Sequence, residues 1–110
     1  TKDGTCIRDY IHVDDLADAH IAIMDSLDNK PYNVGNGVGY SVRELVDSCL
    51  QITGAEIEIE EIERRPGDPG YLCADASAFK KKTGWQPKIT NIDDMTTSVW
   101  NWIKKTRNIT

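Results

Sequence analysis

"NVGNGVGYSVREL", residues 33–45, sets Gly35, Gly37, Gly39 and a capping serine between a short apolar stretch and a helix-like pattern. Two readings compete for it. A dinucleotide-binding loop needs G-x-G-x-x-G between a strand and a helix, with an acidic residue about 20 positions further on. Gly35 and Gly37 have the first spacing, a helical pattern follows, and Glu58 and Glu60 stand at the acidic position. The third glycine fails, because Tyr40 occupies its place and Gly39 comes one residue early. Ser41 with Glu44 also forms an S-x-x-E capping box, which satisfies the free N–H groups a pyrophosphate would otherwise take. The stretch reads as a strand-to-helix turn whose glycines serve backbone conformation.

Working outward, "SVRELVDSCLQITG" is the best-marked helix. Val42, Leu45, Val46, Cys49 and Leu50 share a face, and Gly54 is placed to end it left-handed. "PYNVG" before it predicts a short strand, and "AEIEIEEI" after it alternates Glu with Ile57 and Ile59 as a half-buried strand does. "TCIRDYIHV" is strand-like. "DDLADAHIAIMDSL" predicts a helix capped by Asp14 or Asp15, with Leu16, His20, Ile23 and Leu27 on the core and His20 as a hydrogen-bonded packing residue. "DASAFKKKTGW" predicts a short helix capped by Asp75, with Lys80, Lys81 and Lys82 in a last turn that favours cations, and Gly84 as its stop. "NIDDMTTSVWNWIKK" predicts a terminal helix begun by Thr90 or Asn91, with Ile92, Met95, Val99, Trp102 and Ile103 on its packed face. The sum is an α/β chain of about four helices with a few short strands.

Composition narrows the function classes. A chain of 110 residues supports one domain, and no apolar run approaches the ~18 residues of a membrane span. A formal net charge of -5 argues against a nucleic-acid partner. Cys6, Cys49 and Cys73 are odd in number and show no C-x-x-C, and His12 and His20 form no H-E-x-x-H, so reduced thiols, a cytoplasmic location and no metal are expected. Thr1 opens inside what reads as structure, which predicts that the chain is part of something longer.

The arginines are the chemical candidates. Arg8 lies in an otherwise apolar strand-like stretch, Arg64 and Arg65 lie in the Pro/Gly loop "RRPGDPGY", and Asp68 follows them. Guanidinium groups bind phosphate through paired charge-assisted hydrogen bonds, so two of them converging suit a diphosphate, with Asp68 accepting from a sugar hydroxyl. The plainer alternative pairs Arg8 with Asp9 or Asp14 and lets Arg64 and Arg65 balance the glutamates before them.

"DGTCIRDYIHVDDLADAH", "YNVGNGVGYSVRELV", "RRPGDPGYLCADAS" and "GWQPKIT" together resemble the C-terminal part of the UDP-glucose 4-epimerases, members of the extended short-chain dehydrogenase/reductase family. The resemblance spans nearly all of residues 1–110 and implies a single substrate-binding domain or fragment, separate from a Rossmann domain that holds NAD and a Tyr-x-x-x-Lys pair. It implies interconversion of UDP-galactose and UDP-glucose through a 4-keto intermediate. By position, Arg8 resembles the family's diphosphate-binding arginine, Arg65 its second phosphate contact, and Asp68 the residue that reaches a ribose hydroxyl. Leu72 falls where the family borders the sugar pocket; its intermediate bulk extends the expected substrates to UDP-N-acetyl sugars. No tyrosine of this chain has a lysine four positions on, so the chain alone is expected to lack both catalysis and NAD. A homodimer is implied for the full-length enzyme, and self-association through bare strand edges for a fragment. The corresponding part of a nucleotide-sugar dehydratase or decarboxylase, and a non-catalytic nucleotide-sugar or protein-binding module, remain open alternatives.

Overall fold

The computed structural model describes residues 4–63 and 66–107. Its elements run β1 (Ile7–Asp9), α1 (Val13–Met24), β2 (Gly39–Ser41), α2 (Val42–Thr53), β3 (Tyr71–Leu72), α3 (Ser77–Thr83) and α4 (Ile92–Arg107). This is the expected α/β arrangement of helices with a small mixed sheet.

Helix ends specified by local chemistry form as the sequence predicts. Ser41 Oγ accepts from Glu44 N at 3.0 Å, Glu44 Oε1 accepts from Ser41 N at 2.8 Å, and Gly54 closes α2 at φ 68° with its N–H on Leu50 O. Gly84 ends α3 at φ 77°, with the three lysines in the last turn and Lys82 Nζ 3.4 Å from Asp28. Asp75 Oδ1 accepts from Ser77 N, although the cap position itself is Ala76. Asn91 Oδ1 starts α4 by accepting from Asp93 N at 2.8 Å.

Position in the whole molecule decides what those helices bury. The cap of α1 is His12 rather than an aspartate: its ring Nδ1 accepts from Asp14 N at 3.0 Å, and Nε2 lies 2.9 Å from Ser98 Oγ on α4. Asp15 is drawn inward instead. It is 2% exposed, its two carboxylate oxygens accept from Lys88 N at 3.0 Å and Ile89 N at 2.9 Å, and its carbonyl accepts from Trp85 Nε1. This sets the rotation of α1, so its buried side runs through Asp15 and Ala19, with Ile23 packed beside them. His20 is exposed, with its ring on Leu16 O, and Leu27 lies past the helix end, both off the core where the sequence reading set them. The core is Ala19, Ala76, Phe79 and Trp85, and Phe79 meets Tyr32 and Trp85 edge to face at 5.9 and 5.6 Å. On α4 the buried residues are Ile92, Met95 and Thr96, at the end that packs on α2. Val99 and Trp102, expected on the packed face, are 57% and 64% exposed.

Two expected strands do not form among the described residues. Residues 31–35 are irregular, and the strand comes after them as β2, which pairs antiparallel with β1 while β3 pairs with it in parallel. Residues 55–62 join no sheet, with Ile57, Ile59 and Ile62 exposed. Alternation specifies a face and not a partner. Both edges of β1 are taken, and β2 and β3 offer only three and two residues of outer edge.

Replacing Asp15 by Ala strands two backbone N–H groups beneath α1, at a cost of about 2–4 kcal/mol. Thermal unfolding followed by circular dichroism is expected to show a Tm lower by roughly 10–20 °C. Asp14→Ala, whose side chain is 77% exposed, is expected to leave Tm within about 3 °C.

Candidate functional site

The central strand builds the site. Its register sets Arg8 beside Leu72 on β3 and beside Tyr40 on β2. From there the Arg8 guanidinium reaches across sixty residues of sequence: Nη2 donates to Asp68 Oδ1 at 2.8 Å, and Nη1 donates to Ile7 O at 2.7 Å. The pair is mostly buried, its side chains 20% and 10% exposed. A guanidinium carries five N–H donors, so the contacts on Ile7 and Asp68 leave others for a ligand. Three of the four residues singled out from sequence, Arg8, Asp68 and Leu72, are therefore brought together; Arg65 lies outside the described residues, as does Arg64. The alternative pairing of Arg8 with Asp9 or Asp14 is replaced by the pair with Asp68, and Glu61 of the glutamate run pairs with Arg43 at 2.8 Å.

Arg8 and Leu72 open onto a cleft of about 540 Å³, with Asn33, Val34 and Gly35 on one wall and Leu72, Cys73 and Ala74 on the other. That volume lies within the range of small-molecule sites. Asp9 lines it as well. Asp9 Oδ1 accepts from Asn36 N at 2.8 Å, and Oδ2 accepts from Gly37 N at 2.9 Å and Ala74 N at 3.1 Å. The glycine loop that resembles a phosphate cradle does hold an anion, and the anion is this chain's own carboxylate. A pyrophosphate cannot take those N–H groups as well, so the loop does not fit a dinucleotide. Sequence reasoning weighed Asp9 only as a partner for Arg8; an aspartate ending a strand, with two closely spaced glycines to fold over it, was the signal available.

The surroundings of one cysteine and three tyrosines favour their protonated forms. Burial first, then the neighbouring Asp9 carboxylate, pushes the Cys73 thiol above its ordinary value. The Tyr10 phenol is raised by burial against the opposing pull of Arg8, that of Tyr32 by its hydrogen bond to Asp28, and that of Tyr71 by Cys73. A catalytic tyrosine or cysteine needs the opposite shift.

A family model described as GDP-mannose 4,6 dehydratase matches residues 2–99. The chain belongs to this family. Within the GDP-mannose 4,6 dehydratase family it is similar to the UDP-glucose 4-epimerase of Halalkalibacterium halodurans, 43% identical over 96% of the chain and 33% of the relative. It also matches the structure of UDP-glucose 4-epimerase from Bifidobacterium longum in complex with NAD+ and UDP, with a TM-score of 0.82 at 43% identity, over 100% of this chain and 33% of that one. The UDP-Glc/GlcNAc 4-epimerase of Campylobacter jejuni matches at a TM-score of 0.79 and 42% identity, over 96% of this chain and 33% of that one. The extended short-chain dehydrogenase resemblance is thereby borne out. The chain spans about a third of the length of these relatives.

With its thiol held neutral, Cys73 is expected to alkylate with iodoacetamide along a pH profile whose midpoint lies above that of a free cysteine, read by site-resolved mass spectrometry. The folded state keeps the proton, so the associated stability is complete below the ordinary thiol range and is lost as pH rises through the raised value. A midpoint at or below that of the free thiol contradicts this.

Proposed function

We propose that this chain is the UDP-sugar-binding part of an NAD-dependent UDP-glucose 4-epimerase that interconverts UDP-galactose and UDP-glucose. The observation that carries the proposal is the meeting of Arg8 and Leu72 at one cleft through the β1 register, with the guanidinium fixed by Asp68 and donors left over. Arg8 grips the diphosphate, and Arg65, by the family resemblance, is the second phosphate contact. Asp68 orients Arg8 and accepts from a ribose hydroxyl, and Leu72 borders the sugar. NAD, held by the rest of the full-length enzyme, supplies the hydride acceptor and donor. This chain anchors the nucleotide so that the sugar can present either face. Leucine at position 72 also leaves room for UDP-N-acetyl sugars, a breadth in keeping with the Campylobacter relative.

Neither the base nor the cofactor site is carried by this chain. Its glycine loop is filled by Asp9, and no tyrosine has the required lysine four residues on. The isolated chain is expected to leave UDP-galactose unchanged and to show no quenching of its tryptophan fluorescence when NAD is added.

Losing the charge-assisted bonds of Arg8 costs about 1.5–3 kcal/mol. Isothermal titration of Arg8→Leu is therefore expected to show UDP binding weakened roughly ten- to a hundredfold against the native protein. The family description favours one rival, a GDP-sugar site. Competition between UDP-glucose and GDP-mannose decides it: preference for GDP-mannose overturns the UDP-sugar reading, and an Arg8→Leu protein that binds UDP as the native one does removes Arg8 from the site.

A further inference from the structure

Asp9 touches both walls of the cleft, and no step of the proposed reaction uses it. Through Asn36 N and Gly37 N it holds the loop that continues the Asn33–Gly35 wall; through Ala74 N, with Cys73 Sγ at 3.6 Å, it holds the strand exit that continues the Leu72 wall. The walls already touch at this joint. A Cβ on Gly35 would come within 2.5 Å of Ala74 Cβ and 2.7 Å of Asp9 Oδ2. An ionised carboxylate accepts on both oxygens and donates nothing, so one side chain lining the cleft serves N–H groups from two segments some forty residues apart in sequence.

We propose that Asp9 is a positioning residue that sets the width of the cleft, and through it the size of the sugar admitted against Leu72. The proposal rests on the UDP-sugar reading of the same cleft. Asp9 does not grip the diphosphate itself, because its charge is already engaged by backbone donors and is of the same sign as the ligand. What it controls is the separation of Val34 and Gly35 from Leu72. An ångström there is large on the scale at which a pocket tells one sugar substituent from another.

Asparagine at position 9 cannot replace the carboxylate. Its one carbonyl oxygen can accept from Asn36 N, or from Gly37 N and Ala74 N, and its NH2 then faces the N–H left over, donor against donor, so the joint is weakened either way. Gly35→Ala loosens the same joint from the opposite side with the carboxylate kept, which covers the case of an Asp9→Asn protein that fails to fold. Asp15→Asn is the control for a carboxylate lost elsewhere in the fold.

The test is isothermal titration of the protein with UDP, UDP-glucose and UDP-N-acetylglucosamine. The quantity read is the ratio of the two sugar affinities, which a general loss of stability does not move. Asp9→Asn and Gly35→Ala are each expected to shift that ratio toward the larger sugar by about fivefold or more, while Asp15→Asn leaves it at the native value. The pH midpoint for Cys73 alkylation is expected to fall in Asp9→Asn, since one of the two main causes that raise it has gone. An unchanged ratio in the folded variants, or an unchanged Cys73 profile, overturns the proposal and leaves the UDP-sugar reading standing. Absence of UDP binding by the native protein overturns that reading, and the proposal with it.

Discussion

A carboxylate that accepts from the backbone of distant segments is the constraint on which this structure depends, and it occurs twice among the described residues. Asp9 fastens residues 27, 28 and 65 positions away, and Asp15 fastens residues 73 and 74 positions away. The buried apolar cluster is small, four residues around Phe79 and Trp85, and the strands are two or three residues long. Neither core nor sheet is extensive enough to place the loops around residues 33–37 and 88–90. A charged acceptor taking two or three N–H groups makes stronger bonds than a neutral one, and it satisfies loop backbone that no ladder reaches. Both aspartates stand at an end of β1 or in the first turn of α1, so the loops inherit their positions from the two elements that also carry Arg8 and His12.

What was legible in the sequence divides along the same line. The ends of α2, the stop of α3 and the start of α4 are written in residues two to four apart, and they form as read. Strands were misread where their partners decide them. "PYNVG" and "AEIEIEEI" have suitable composition, but β1 accepts one neighbour on each side, and "GYS" with its glycine against Ile7 is the one that fits; any larger residue at Gly39 would meet Ile7 Cγ2. His12 was hidden as a cap because the familiar capping aspartates follow it, and one of those was needed inside. Of the candidate site, motif order singled out Arg8, Asp68 and Leu72 as candidates; that Arg8 and Asp68 pair with each other depends on long-range packing no local pattern specifies.

The misread elements also leave the barest apolar surface. Val13, Ile21, Met24 and Leu27 are exposed on or just beyond α1, while Ala19 and Ile23 on the other side of the helix pack against the core. A helix apolar on more than one side carries more burial potential than one packed face uses. The same holds for Ile57, Ile59 and Ile62. In a body only 18 Å through its shortest axis, one layer of helices and a narrow sheet cannot cover both sets.

On the proposed reading, the pairing of Arg8 with Asp68 bears on what the cleft selects. A flexible arginine loses side-chain entropy when it first grips a phosphate; one already held on Ile7 O and Asp68 Oδ1 has lost it on folding, so more of each new bond appears as affinity. The same arrangement sets a negative charge beside the incoming anion. A bare diphosphate meets the attraction of Arg8 offset by the repulsion of Asp68. On the proposed reading, a nucleoside diphosphate differs by bringing ribose hydroxyls, which donate to that carboxylate and turn the opposing charge into a contact. The ion pair that first looks like a competitor for the arginine is then the feature by which the cleft tells a nucleotide from a simple polyanion.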